Sequence, residues 1–202
     1  MATVDKEIIL LKVSGQDKPG VTAGLTAILA NYGATILDIG QADIHDTLSL
    51  GILFEVKAGS GSGNVLKDLL FKGYELGIKV KFIPISISDY EVWVKGQSKQ
   101  RYIINVLGET LTAVQMAAVT KIVSDQKLNI DSIIRLTGRT SVIEEEEYPR
   151  SCVQLSVTGV IKDKTVMTAK FMEISGEFDV DISFQEDNMY RRNRRLVCFD
   201  MD

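Results

Sequence analysis

Ile8-Ile9-Leu10-Leu11-Lys12-Val13-Ser14-Gly15 runs into Gln16-Asp17-Lys18-Pro19-Gly20, and beyond that point the apolar residues change period. The first run is short, aliphatic and closed by glycine, as expected of a strand lying centrally in a sheet. Pro19-Gly20 punctuates it. Val21, Leu25, Ile28, Leu29 and Tyr32 then recur at helical spacing, and Gly33 suits the left-handed position that ends a helix. This strand–loop–helix reading sets the frame for everything around it.

Working outward, residues 34–45 and 48–56 are strand-like on either side of a turn at Asp46-Thr47, which makes a hairpin. Gly59-Ser60-Gly61-Ser62-Gly63 reads as a flexible loop too short to link domains. Val65, Leu66, Leu69, Leu70 and Tyr74 mark a second amphipathic helix. Residues 79–88 close the unit with a strand whose Pro84 points to a sheet edge or a strand end. The order is β-α-β-β-α-β. Residues 89–100 read as a connector, after which the pattern restarts. Residues 102–107 form a strand ending at Gly108, and Leu111, Val114, Ala118, Ile122 and Val123 a helix. Residues 129–137 and 150–158 form a second hairpin around a solvated loop holding Glu144-Glu145-Glu146-Glu147. Val166, Ala169, Lys170, Met172 and Glu173 lie on another helix, and residues 178–185 are the closing strand. The fold class is therefore α+β: two tandem ferredoxin-like βαββαβ modules, residues 1–88 and 101–186. Each is an antiparallel sheet with two helices on one face. The other face is left uncovered, so pairing between modules or between chains is expected.

The 202 residues carry a formal net charge of −4, which argues against a dedicated nucleic-acid binder. The first residues lack the basic and apolar regions of a secretory signal, and no apolar run is long enough to span a bilayer. A cytoplasmic protein without membrane or nucleic-acid partners is expected. Cys152 and Cys198 sit in apolar runs without metal-ligand or redox spacing and read as free thiols. His45 is the only histidine and sits beside a turn; with no second histidine to share a metal, it reads as structural or exposed.

One loop offers a ligand site. Asp17, Lys18, Pro19, Gly20 and Val21 lie between the first strand and the first helix. Unpaired N–H groups and the helix dipole favour a carboxylate there, and Asp17 offers a partner for an amino group. Together these suit a zwitterionic amino acid. The competing reading is that Asp17 only caps the helix and Pro19-Gly20 only turn the chain. The equivalent Gly108-Glu109-Thr110-Leu111-Thr112 keeps the glycine but loses the rest, and either Thr110 or Thr112 can cap the second module's helix.

The last residues carry different chemistry. Arg191-Arg192-Asn193-Arg194-Arg195, within a basic linker spanning 187–195, precedes the apolar strand Leu196-Val197-Cys198-Phe199. That strand ends in Asp200-Met201-Asp202, with two carboxylates where α/β sheets bind ligands. One such aspartate can attack a phosphoryl group, the other can protonate the leaving oxygen, and a divalent cation would neutralise the crowded charge.

Val197-Cys198-Phe199-Asp200-Met201-Asp202 resembles the opening strand of haloacid-dehalogenase-type phosphatases, whose Asp-x-Asp continues into Ser/Thr-Thr. The tandem modules resemble ACT domains, the amino-acid-sensing version of this fold. Leu111-Thr112-Ala113, Leu128-Asn129-Ile130-Asp131 and Arg135-Leu136-Thr137-Gly138-Arg139 are similar to bacterial phosphoserine phosphatases of the SerB type, in which an ACT pair precedes the phosphatase domain. The resemblance covers essentially the whole chain. It implies Asp200 as nucleophile and Asp202 as general acid/base, both beside Mg²⁺, in a parent enzyme hydrolysing O-phosphoserine in the last step of serine synthesis. It also implies a homodimer formed through the ACT modules, with serine or glycine bound near the Asp17–Val21 loop. The Ser/Thr after Asp202, the phosphate-binding lysine, the cap and the later metal-binding aspartates have no counterpart in these residues. On this reading residues 196–202 are the first strand of a missing phosphatase domain. The chain alone is then an inactive regulatory region with no cofactor of its own. The rival expectation is a stand-alone tandem ACT regulator binding a small amino acid and a protein partner.

Overall fold

The computed structural model describes residues 6–57, 60–96, 100–139 and 150–187. They form two units, Met1–Gln97 and Ser98–Asp202. In the first, β1 (Lys6–Gln16), α1 (Val21–Asn31), β2 (Thr35–Ile44), β3 (Thr47–Lys57), α2 (Ser60–Leu76) and β4 (Lys79–Ile85) are followed by a further helix, α3 (Ile87–Gly96). The second contains β5 (Arg101–Gly108), α4 (Ala113–Asp125), β6 (Asn129–Arg135), β7 (Ser151–Thr158), α5 (Lys164–Phe178) and β8 (Asp181–Glu186). The sheets have orders β2-β3-β1-β4 and β6-β7-β5-β8, with every neighbouring pair antiparallel. Both are the expected split βαβ units.

Alternation along the strands explains the packing. Ile9, Leu11 and Val13 of β1 and Leu48, Leu50, Ile52, Phe54 and Val56 of β3 point to one face. There they meet Val21, Leu25 and Leu29 of α1 and Val65 and Leu69 of α2. The second core repeats this with Tyr102, Ile104 and Val106 of β5 and Leu155 and Val157 of β7, beneath Val119, Ile122 and Val123 of α4 and Met167, Phe171 and Ile174 of α5. Gly15 and Gly108 occupy equivalent places: an added Cβ would press at 3.0 Å on Ile78 in the first case and on Val180 in the second.

Several boundaries depart from the expectation. The first hairpin turns at His45-Asp46, one residue earlier than read, because Ile44 already pairs with Thr47. Both turn residues have positive φ, 51° and 57°, as a two-residue turn with the right twist requires. Ser60 to Gly63, read as loop, form the first turn of α2. The apolar stripe of Val65, Leu66 and Leu69 against the core outweighs the poor helix propensity of glycine. In the second unit α5 runs through Phe178, which packs on the core, so the closing strand starts at Asp181 rather than 178. Pro84 does lie on an edge strand.

The second sheet face differs most from the reading. In the first unit Ile8, Leu10, Leu53, Ile83 and Ile85 share that face by register. Ile8 and Leu53 are only 6% and 9% exposed there. The stretch read as a connector supplies the cover: Tyr90 and Trp93 of α3 close a cavity of about 420 Å³ over Leu10, Leu53 and Ile85, with Asp38 and Asp89 at its rim. Ser86 caps this helix, accepting the Asp89 N–H at 3.0 Å while its hydroxyl donates to the Asp89 carboxylate. The corresponding face of the second unit is more polar, carrying Asn105, Gln154, Ser156 and Ser183 beside Ile103 and Leu107. Cys152, a free thiol, lies half-buried on it. Cys198 and Glu144–Glu147 lie outside the described residues.

Two tests address this architecture. Lys127 follows α4 with φ 59°, where the first unit has Gly33 at 62°. Lys127→Gly is expected to stabilise the second unit by up to about 1 kcal/mol, read by urea unfolding, because a left-handed β-carbon is removed. The Tyr32 hydroxyl donates to Asp68 across α1 and α2 at 2.6 Å, and this bond to a carboxylate holds its pKa above the ordinary 10.0. The stabilisation is therefore present below pH 10 and is lost as pH rises through the folded value. Ultraviolet titration should show one late tyrosine that disappears in Tyr32→Phe.

Candidate functional site

The loop of residues 17–21 is laced down at one end and open at the other. The Asp17 N–H donates to the Asp46 carbonyl at 2.8 Å, which ties it to the His45-Asp46 turn. Asp17, Lys18, Pro19 and Gly20 are all exposed. Val21 is 2% exposed and anchors α1 in the core beneath them, so any ligand contact from Val21 is through its backbone. Its N–H makes only a long 3.4 Å bond to the Lys18 carbonyl.

Gly20 is the N-cap residue, with φ 94° and ψ −8°, and no side chain caps the helix. Asp17 therefore does not serve as the cap. A Cβ on Gly20 would meet nothing within 4 Å, so the glycine is needed for its left-handed backbone and not for room. Thr22, in the first turn, donates its hydroxyl to Gln41 of β2 at 2.8 Å and pins the helix start to the sheet edge. Gln41 and Asp46 were not legible as neighbours of this loop, because only the register of the first hairpin brings them there.

The second unit closes the same end internally. Thr112 Oγ1 accepts the Gln115 N–H at 3.3 Å, and Gln115 Oε1 accepts the Thr112 N–H at 2.7 Å, forming a capping box. Gln115, 8% exposed, also donates Nε2 to the Phe178 carbonyl at 3.1 Å. Of the two candidate threonines, Thr112 is thus the cap. One helix start is sealed by its own side chains and the other is offered to solvent. A ligand carboxylate fits only the second situation.

His45 is exposed in its turn. Among the described residues no group of three or more His, Cys, Asp or Glu side chains is placed to hold a metal ion. Asp200 and Asp202 lie outside the described residues, as do Arg191–Arg195. No described helix is long and apolar enough to cross a membrane.

Comparison with known proteins agrees with the geometry. Residues 7–83 and residues 101–185 each match an ACT domain family. The chain is 30% identical over 200 residues to a phosphoserine phosphatase of Streptomyces coelicolor, covering 99% of this chain and 45% of that protein. It is 28% identical over 201 residues to the phosphoserine phosphatase SerB2 of Mycobacterium tuberculosis, again 45% of its length. The chain thus spans about half of the curated relatives it matches. A crystal structure of an unknown protein from Galdieria sulphuraria superposes with a TM-score of 0.68 at 17% identity, covering 90% of this chain and 99% of that one.

The asymmetry between the two helix starts can be measured. Gly20→Ala forces a β-carbon into the left-handed region and is expected to cost about 1–2 kcal/mol. Thr112→Ala is expected to cost about 1 kcal/mol through loss of the cap. Urea unfolding of each variant checks both. An unchanged Thr112→Ala would contradict the sealed second site.

Proposed function

We propose that this chain, which belongs to the ACT domain family through both of its modules, is the amino-acid-sensing and oligomerising region of a cytoplasmic phosphoserine phosphatase. The parent enzyme would hydrolyse O-phosphoserine to serine and phosphate in serine biosynthesis. The observation that carries the sensing role is the uncapped start of α1 under an exposed Asp17-Lys18-Pro19-Gly20 loop, set against the capping box at α4. A small amino acid such as serine or glycine would lay its carboxylate on the first N–H groups of α1 and its ammonium against Asp17. Similarity to two phosphoserine phosphatases along nearly the whole chain supports the parent activity. Pairing of ACT modules between two copies would make the assembly a homodimer.

For the phosphatase reaction, Asp200 would be the nucleophile and Asp202 the general acid/base. Two carboxylates two residues apart are hard oxygen donors of the kind magnesium takes, so Asp200 and Asp202 suit that ion as part of its ligand set. When bound, magnesium supplies charge neutralisation at the transferring phosphoryl group. Asp200 would attack phosphorus as Asp202 gives a proton to the leaving serine oxygen; water, giving its proton to Asp202, would then break the Asp200–phosphorus bond and release phosphate.

A second reading has one observation in its favour. It is supported by the superposition on the Galdieria structure, which covers 99% of that crystallised chain. A stand-alone regulator that binds a small amino acid and a protein partner uses the same loop. The codons after Asp202 in the gene separate the two, Ser/Thr-Thr favouring the phosphatase and a stop the regulator.

Calorimetry of the 202-residue chain with serine and with glycine tests the sensing role, after sedimentation has established whether it is a dimer. Saturable heat that falls at least about tenfold in affinity with Asp17→Asn is expected, the loss of one charge-assisted contact. Absence of heat at millimolar ligand from a dimeric sample would overturn it.

A further inference from the structure

The second face of the first sheet has two halves, and only the apolar half lies under α3. The other half is built in two cross-strand rows. One row runs Ala42, Ser49, Ser14, Lys79 and the next Gly40, Gly51, Lys12, Lys81, from β2 through β3 and β1 to β4. Of these, Lys12, Lys79, Lys81, Ser14, Ser49 and Gly51 line an open trough of about 560 Å³, together with aliphatic residues such as Leu10. No carboxylate lines it. Among the described residues, no ion pair engages any of the three lysines.

The fold does not require this arrangement. Lys12 and Lys81 are direct cross-strand partners, a placement that like charges disfavour. Lysines on the edge strand β4 can be explained as protection against edge pairing, but Lys12 lies on a central strand, where that reason fails. The chain is acidic overall, at −4, so three unpaired lysines in one trough run against its average.

The glycines have no internal reason either. Gly40 and Gly51 face each other, and neither has a positive φ. A Cβ on Gly51 would touch only Leu10 Cδ1 at 4.0 Å, and one on Gly40 would meet nothing. Glycine inside a strand weakens it and often marks a bulge, a bend or the close approach of a ligand or another backbone; the register is regular at both glycines, which leaves close approach.

The second unit is an internal control. Counting back from the equivalent Gly15 and Gly108, Lys12 corresponds to Asn105. The register then puts Gln154 in the place that Gly51 has in the first unit, Ser183 in that of Lys81 and Asp181 in that of Lys79. There the row is neutral: Asn105 Nδ2 donates to Ser183 Oγ at 3.0 Å, while Asn105 Oδ1 is buried without a partner among the described residues. Asp181 pairs with Arg150 at 3.7 Å. The same backbone thus accommodates an uncharged row of side chains with no glycine in it.

We propose that the Lys12–Lys79–Lys81 trough, floored by Gly51, binds a small phosphorylated molecule. Lysine ammonium groups neutralise phosphate oxygens as mobile point charges, Ser14 and Ser49 offer hydroxyl donors, and the bare glycine floor admits the body of the molecule. The site is separate from the loop of residues 17–21 and does not depend on how that loop is read.

The probe is inorganic pyrophosphate, titrated calorimetrically into the 202-residue chain, with citrate at equal charge and sodium chloride at equal ionic strength as comparisons. Saturable pyrophosphate binding is expected, weakened by at least about tenfold in Lys12→Gln, the factor for one charge-assisted contact. Lys121→Gln, on α4 of the other unit, should leave it unchanged. Gly51→Val should fill the floor and weaken binding while circular dichroism and melting temperature show an intact fold. Heat no greater than that of sodium chloride, equal or tighter binding of citrate, or equal loss in Lys121→Gln would each overturn the proposal. So would a Gly51→Val variant whose only change, by sedimentation, is the breaking of a dimer, since the floor would then be a subunit interface.

Discussion

A four-stranded sheet has two faces, and two helices of the lengths seen here cover one. The whole molecule is arranged around that constraint. In each unit the inward face collects the branched aliphatic residues of both central strands, and the paired helices close over it. Burial of this kind supplies most of the free energy that opposes chain entropy in a small domain. What remains is the outward face, where an uncovered apolar surface would expose the chain to association.

The two units meet that constraint differently, and their functional differences follow. In the second unit polar residues spread across the face, so it tolerates water. In the first, half the face is aliphatic and lies beneath α3, while the other half is small, polar and basic. The helix starts diverge in parallel. α4 consumes its free N–H groups in a capping box, and α1 leaves its own beneath a glycine that only a left-handed backbone explains. One module is chemically closed and the other is open at two places. Duplication of a fold followed by such divergence leaves one copy with a sealed helix start and the other with an open one.

Much of this was legible in the residues. The change from a continuous apolar run at Ile8–Gly15 to helical spacing at Val21 announced the first strand and helix, and its recurrence after Tyr102 announced the second unit. Pro84 pointed to a sheet edge or a strand end because proline cannot donate to a ladder, and it lies on an edge strand one residue from its end. The choice between Thr110 and Thr112 stayed open, since either hydroxyl sits within reach of a helix start. The capping reading of Asp17 failed because the turn places Gly20, and not Asp17, at the N-cap. The helix α3 was missed because Ile87 to Gly96 has a weak stripe of its own and buries no side chain fully.

Apart from α3, local pattern determined the element types, their order, the duplication and the candidate loop, because periodicity and turn chemistry act over a few residues and are written directly in the chain. Tertiary structure alone decided which residues share a face. Lys12, Lys81 and Gly51 are far apart in sequence, as are Asp17 and Asp46, and each set meets only through strand register. Register depends on burying the inward face of the whole sheet at once, and no single stretch of sequence carries that information.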